Sequence, residues 1–177
     1  MTKLLSLPDT YSFLDSEIGM KEFTWERMTH LIDTHPPQST KIKGECGSAT
    51  FLELEKRPSL PRNARRIIED LKRIFPDKPV TCHLFFGITD RHTTFGIHRD
   101  RMHVLYLQVL GRVDWEIHRP RIEDAISYTL KPERSVMVEN KILEPGMMVW
   151  NPMGTFHHSK PIGTRMGLSF GVEGLVR

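Results

Sequence analysis

Three residues of this chain could share a metal ion: His98 and Asp100, within "GIHRDRMH", and His157, within "EPGMMVWNPMGTFHHSK". His98 and Asp100 are two apart in an extended stretch, and side chains two apart on a strand project to the same face. An imidazole and a carboxylate on one face can bind one cation. Taken alone, a His-x-Asp triplet is a weak signal, since it also describes a strand-end histidine beside a solvated aspartate. The second stretch adds specificity through its spacing, G-x5-P-x-G-x2-H, from Gly146 through Pro152 and Gly154 to His157. Met147 to Trp150 read as an apolar strand. Asn151-Pro152-Met153-Gly154 reads as a turn, with proline fixing φ and glycine tolerating positive φ. His157 then falls near the start of the next strand. In a sandwich that strand can face the one bearing His98 and Asp100. The neighbouring His158 would point the other way, so His157 is the expected ligand.

Two imidazoles and one carboxylate leave open positions on a six-coordinate ion, the donor set of a non-haem Fe(II) facial triad. Arg165 stands eight residues past His157, in "GTRMGLSF". Tyr106, six residues past Asp100, should turn its hydroxyl to the same inner face as Val104 and Gln108. His83 and His103 are near in sequence, but the commoner role for such histidines is packing or exposure. Trp115, Trp150 and the methionines Met147, Met148 and Met153 read as core.

The elements that must carry these residues are mostly strands. After Pro79 the chain runs through "VTCHLFFGI", "TTFGIHRD", "MHVLYLQVLGRVDWEIHR" (two strands bent at Gly111), "SVMVE", "GMMVWNP" and "RMGLSFGVEG". These are short runs rich in Val, Ile, Phe, Tyr and Trp, punctuated by Gly, Pro and Asp. "RPRIEDAISYTLKPER" is the longest insertion, a loop or short helix. Before Pro79, "MKEFTWERMTHLIDTH" and "LPRNARRIIEDLKRIFP" show apolar residues at helical spacing and end at prolines, with a short strand at 49–54 between them. The expectation is a single domain over 1–177 of α+β type, mainly β with flanking helices. A helical N-terminal part over 1–79 would pack on a β-barrel or sandwich core over 80–177.

Composition fits a soluble globular chain: 177 residues, 38% hydrophobic, 27% charged, net charge +3. No apolar run is long enough to span a membrane, and the start lacks the pattern of a signal peptide. Two cysteines, Cys46 and Cys82, make no disulfide framework, which points to a cytoplasmic, reducing setting. The mild basic excess is not by itself a nucleic-acid footprint.

The G-x5-P-x-G-x2-H stretch resembles the second cupin motif, and Gly111, eleven residues after Asp100, suits the end of the first. The glutamate usual between them is absent, with Val104 near its place. With His-x-Asp and no glutamate, "LQVLGRVDWEIH" and "LEPGMMVWNPMGTFHH" resemble Jumonji-type and related 2-oxoglutarate oxygenases, over about 82–173. The resemblance implies a double-stranded β-helix (jelly-roll) barrel and Fe(II) held by His98, Asp100 and His157. It further implies 2-oxoglutarate as co-substrate, chelating iron and reaching Arg165 or Tyr106, and hydroxylation of an unidentified peptide, nucleotide or small molecule. It also implies a homodimer as the form to look for. Jumonji-type enzymes more often carry a lysine where this chain has Val113. Two other readings stand beside it: a metal-binding cupin with different chemistry, such as an isomerase or a 2-oxoglutarate-independent dioxygenase, and a non-catalytic jelly-roll binding module.

Overall fold

The computed structural model describes residues 7–15, 18–43, 48–90, 95–121, 123 and 126–173. Ten strands and two α-helices order as β1 (Ser12–Asp15), α1 (Trp25–Asp33), β2 (Thr40–Lys43), β3 (Ser48–Phe51), α2 (Arg62–Ile74) and β4 (Val80–Gly87). There follow β5 (Ile97–His98), β6 (Met102–Pro120), β7 (Thr129–Leu130), β8 (Ser135–Leu143), β9 (Met147–Asn151) and β10 (Phe156–Glu173). All pairings are antiparallel, and the hydrogen-bonded order is β1-β9-β6-β10-β4-β3-β2, with β5 on β10, β7 on β5 and β8 on β6.

Two long strands turn this into two layers. The first part of β6 pairs with β9 and its second part with β8. Likewise the second part of β10 pairs with β4, and near its start it pairs with β5. One layer is therefore β1-β9-β6-β10-β4-β3-β2 and the other β8-β6-β10-β5-β7, with β6 and β10 crossing from one to the other. Both bend at the crossing. The ladder between them shifts register between Ile162 and Met166, and Gly111 on β6 sits at φ +69°. A side chain at Gly111 would collide with the Thr164 carbonyl, so only glycine permits the corner. This is the expected jelly-roll, and the bend expected at Gly111 is there, within one continuous strand rather than between two.

Period-two alternation gives each layer its faces. On the larger layer Leu105, Leu107 and Val109 of β6, Cys82 and Leu84 of β4, and Leu168, Phe170 and Val172 of β10 form the main core with the helices. Helix α1 contributes Met28 and Leu31, and α2 contributes Ala64, Ile67, Ile68 and Leu71. Each large apolar side chain so buried is worth about 1.5–3 kcal/mol. Helix α1 begins at the Thr24 cap, whose hydroxyl accepts from Arg27 N at 3.3 Å. Helix α2 gives way at Phe75, ahead of Pro76. The opposite face of the same layer points between the two layers, where Val104, Tyr106 and Val149 meet Val113, Trp115 and Ile117 of the other.

The first half of the chain is less helical than its sequence suggests. Besides α1 and α2 it supplies β1, β2 and β3, which extend the larger layer at both edges. The long insertion between strands holds the two-residue β7 and a short 3-10 turn at Pro132–Arg134. Cys82 is a buried free thiol, raised well above the usual thiol range by that burial, whereas Cys46 and His92 lie outside the described residues.

Candidate metal centre

His98, Asp100 and His157 converge. One ligand atom from each lies within 4.8 Å of the others. Asp100 places Oδ1 3.8 Å from His98 Nε2 and Oδ2 3.5 Å from His157 Nε2, and the two imidazole centroids are 4.4 Å apart. The route differs from the expectation in two respects. Strands β5 and β10 do not face each other across the sandwich; they are hydrogen-bonded neighbours, with His98 and His157 directly paired. And β5 is only Ile97–His98, so Asp100 stands in the turn beyond it. That turn is fixed by Gly154 N donating to Asp100 O at 3.2 Å, which ties the aspartate to the loop preceding His157.

Each imidazole is oriented in the same way. His98 Nδ1 lies 3.0 Å from Gly96 O and His157 Nδ1 3.0 Å from Thr155 O. A carbonyl only accepts, so Nδ1 carries the proton and Nε2 offers its lone pair toward Asp100. Burial pushes the His157 pKa down to about 4, reinforced by the nearby His98, so the ring is neutral and able to ligate at neutral pH. The Asp100 carboxylate and the two Nε2 atoms, within one ion's reach, fit a divalent first-row metal with open coordination sites. His158 faces outward, as alternation requires: its Nδ1 is 3.4 Å from Glu116 on β6. Glu116 also accepts from Lys160 and lies 3.0 Å from His118, which clamps β10 to β6 behind the candidate ligand.

From this cluster a cavity of about 210 Å³ runs between the layers. Arg165, at its wall, is 1% exposed and has no carboxylate within ion-pair distance among the described residues. Its Nη1 donates to the Tyr106 hydroxyl at 3.3 Å, whereas its Nε has no partner there. A buried guanidinium without a counter-ion costs several kcal/mol, so a cavity that keeps one is built to receive an anion. Tyr106 stays protonated, burial raising its pKa against the lowering effect of Arg165. Its proton goes to Gln108 Oε1 at 2.8 Å, and Gln108 Nε2 donates in turn to Leu110 O at 2.7 Å. Tyr106 thus lines the cavity as expected, but its hydroxyl is engaged in holding Arg165. Val113, where a lysine is the commoner residue, is fully buried among apolar neighbours, so β10 rather than β6 supplies the cation.

Sequence reasoning overlooked three residues in or behind this wall. Gln108 was placed only by its face. Gly167 leaves the space over which the Tyr106 hydroxyl lies, and its sole signal was its position two residues past Arg165. Trp115 was read as core, yet it lines the cavity, parallel to His157 with centroids 5.2 Å apart and 4.6 Å from the Tyr106 ring. The guanidinium groups of Arg99 and Arg101 lie 4.8 and 4.5 Å from the centre of the Tyr128 ring.

Residues 63–175 match the family model of the JmjC domain, and the chain belongs to that family. Among solved structures it is similar to the Escherichia coli ribosomal oxygenase YcfD, with a TM-score of 0.58 and 16% identity over 72% of this chain and 32% of that one. The same holds for YcfD in complex with cobalt and 2-oxoglutarate, and its complex with cobalt and succinic acid gives a TM-score of 0.56. At such identity the likeness is one of fold, and this chain spans about a third of the length of those structures. No curated protein sequence matches it.

Proposed function

We propose that the chain is an Fe(II)- and 2-oxoglutarate-dependent oxygenase that hydroxylates a C–H bond of a substrate presented at the cavity mouth. The observation that carries this reading is one cavity with a convergent His-Asp-His set at one end and, in its wall, a buried guanidinium with no carboxylate partner among the described residues. A 2-oxo acid with a second carboxylate matches both features. His98, Asp100 and His157 would hold the iron, and Arg165 the far carboxylate, with Tyr106 and Gln108 keeping Arg165 in place. When bound, iron and 2-oxoglutarate together with dioxygen would supply oxidative decarboxylation to succinate and carbon dioxide, one oxygen atom going to the new carboxylate and the other to the substrate hydroxyl. The chain's own contribution is to fix the ligands through the Gly96 and Thr155 carbonyls and to orient the co-substrate in the cavity.

A cupin with other metal chemistry has no use for the unpaired Arg165, and a non-catalytic module has no use for two Nε2 lone pairs aimed at one carboxylate. The YcfD complexes with cobalt and 2-oxoglutarate support the same reading by analogy of fold. The name of that neighbour, a ribosomal oxygenase, makes a macromolecular substrate the first class to test, ahead of free nucleotides and small molecules. A cytoplasmic location and a homodimer are part of this proposal. The test is anaerobic titration of the Fe(II)-loaded protein with 2-oxoglutarate. A weak visible charge-transfer band should appear and saturate; its absence would overturn the assignment.

A further inference from the structure

The chain has three tryptophans, and their indole N–H groups are treated differently. Trp150 Nε1 donates to Pro8 O at 2.8 Å. Trp25 is 43% exposed and can donate to water. Trp115 is 3% exposed, and its Nε1 has no acceptor among the described residues. A buried donor left unpaired costs about 1–3 kcal/mol, and such groups in native proteins call for an explanation. Plain core filling does not provide one. A phenylalanine would fill the wall without an orphan donor, and the apolar roles on this face of β6 already fall to Val113 and Ile117.

The position of Trp115 does provide one. It lines the same cavity as the candidate metal ligands and Arg165. Its ring lies against His157 on one side and Tyr106 on another, and Tyr106 touches Arg165. The indole is therefore part of the wall that carries both the candidate ligand His157 and, through Tyr106, Arg165. Two donors on residues lining this cavity, Trp115 Nε1 and Arg165 Nε, lack an acceptor among the described residues, and one carboxylate could serve both. A carboxylate can take up to four hydrogen bonds. Tyr106 cannot add one, because its proton is committed to Gln108.

We infer that the Trp115 indole N–H is the second donor, beside Arg165, to the far carboxylate of the co-substrate. Val113 leaves β6 without a cation at the customary place, and Trp115, two residues on and on the same face, offers a neutral donor instead. The inference rests on the proposed function and deepens it by assigning what selects a dicarboxylic 2-oxo acid.

The experiment compares two keto acids on two proteins. 2-Oxoglutarate and 2-oxopentanoate chelate iron through the same atoms, but the second ends in a methyl group. Anaerobic Fe(II)-loaded wild type and Trp115→Phe are titrated with each, following the visible band. The phenylalanine keeps a ring against His157 and removes the N–H. The expected result is a loss of about tenfold or more in 2-oxoglutarate affinity, the range for a hydrogen bond to a charged group, with 2-oxopentanoate affinity and Fe(II) affinity unchanged. An equal loss for both acids, or none for either, overturns the inference while leaving the proposed function standing. A wild type that binds neither acid takes both down together. A second measurement covers a variant that folds poorly. In ¹⁵N-labelled, Zn(II)-loaded wild type, one indole N–H resonance should move downfield with 2-oxoglutarate and not with 2-oxopentanoate. If all three indole signals respond alike to the two acids, Trp115 has no such role.

Discussion

The Tyr106 hydroxyl lies over Gly167, in the space that a side chain on that residue would fill. The two sit on adjacent strands, β6 and β10, and the contact lets Tyr106 reach Arg165 Nη1 two residues along β10. Gly167→Ala should therefore displace the tyrosine ring and release Arg165 from its hydrogen bond to the Tyr106 hydroxyl. The expected outcome is a fall of about tenfold in 2-oxoglutarate affinity, of the order of one charge-assisted hydrogen bond, with Fe(II) affinity unchanged. Anaerobic titration of metal and then co-substrate separates the two, and an unaltered co-substrate curve would show that Tyr106 does not position Arg165.

Arg165 itself should matter more. Replacing it with alanine removes two or more donors and the only charge facing the proposed carboxylate. We expect 2-oxoglutarate affinity to fall at least about thirtyfold. Because a lone buried guanidinium costs stability, the apo variant should lose little in thermal melting. Arg165→Ala with wild-type affinity for 2-oxoglutarate would rule out its assigned contact.

Much of this was legible in the chain. The spacing from Gly146 to His157 dictates strand, turn, strand, and alternation separates His157 from His158 without further information. Alternation also placed Tyr106 and Gln108 on the inner face, whereas Arg165 was singled out by its distance past His157 and by the family resemblance. Other features depend on pairing that no local pattern encodes. Whether β5 faces β10 or adjoins it is settled by which backbone groups meet, and His98 opposite His157 follows only from that register. Strands β1 and β2 are four residues each, too short for periodicity to outweigh the helices around them. Trp115 looked like core because its composition and spacing are those of core; only the missing acceptor for its N–H distinguishes it.

The two adjacent histidines offer a clean contrast. His157→Ala should abolish tight Fe(II) binding, since it removes one of three ligands, and metal affinity commonly falls far more than a second-sphere change produces. His158→Ala should keep iron, because that ring faces Glu116 on the outside of the sheet. Equilibrium Fe(II) or Co(II) titration of both variants decides it, and the opposite pattern would reverse the ligand choice.

Gly111→Ala tests the corner that brings the two layers together. Its φ of +69° disfavours any side chain, and the added methyl would meet the Thr164 carbonyl next to Arg165. Strain and clash together should cost about 3 kcal/mol, read as a lower midpoint in urea with an unchanged slope. A variant as stable as wild type would mean that the crossing is looser than the register implies.

Acid should destabilise the metal-free protein in two stages. His83, His103, His157 and His158 all have pKa values below the ordinary imidazole value, in each case chiefly through burial. The unfolded chain then takes up protons first as pH falls. The stability these groups contribute is complete above about pH 6.5 and drains away on acidification toward their folded values, about 4 for His157. Glu116 acts lower. Burial pushes its carboxyl up, but hydrogen bonds from Lys160 and His118 outweigh that and hold it below its usual value. Its contribution is present above about pH 4.5 and is lost beneath it. Calorimetric melting temperatures between pH 7.5 and 4 should fall throughout, more steeply at the acid end, and Glu116→Gln should flatten only that last part. A melting temperature constant from pH 7 to 5 would mean that the four histidines are solvated rather than buried.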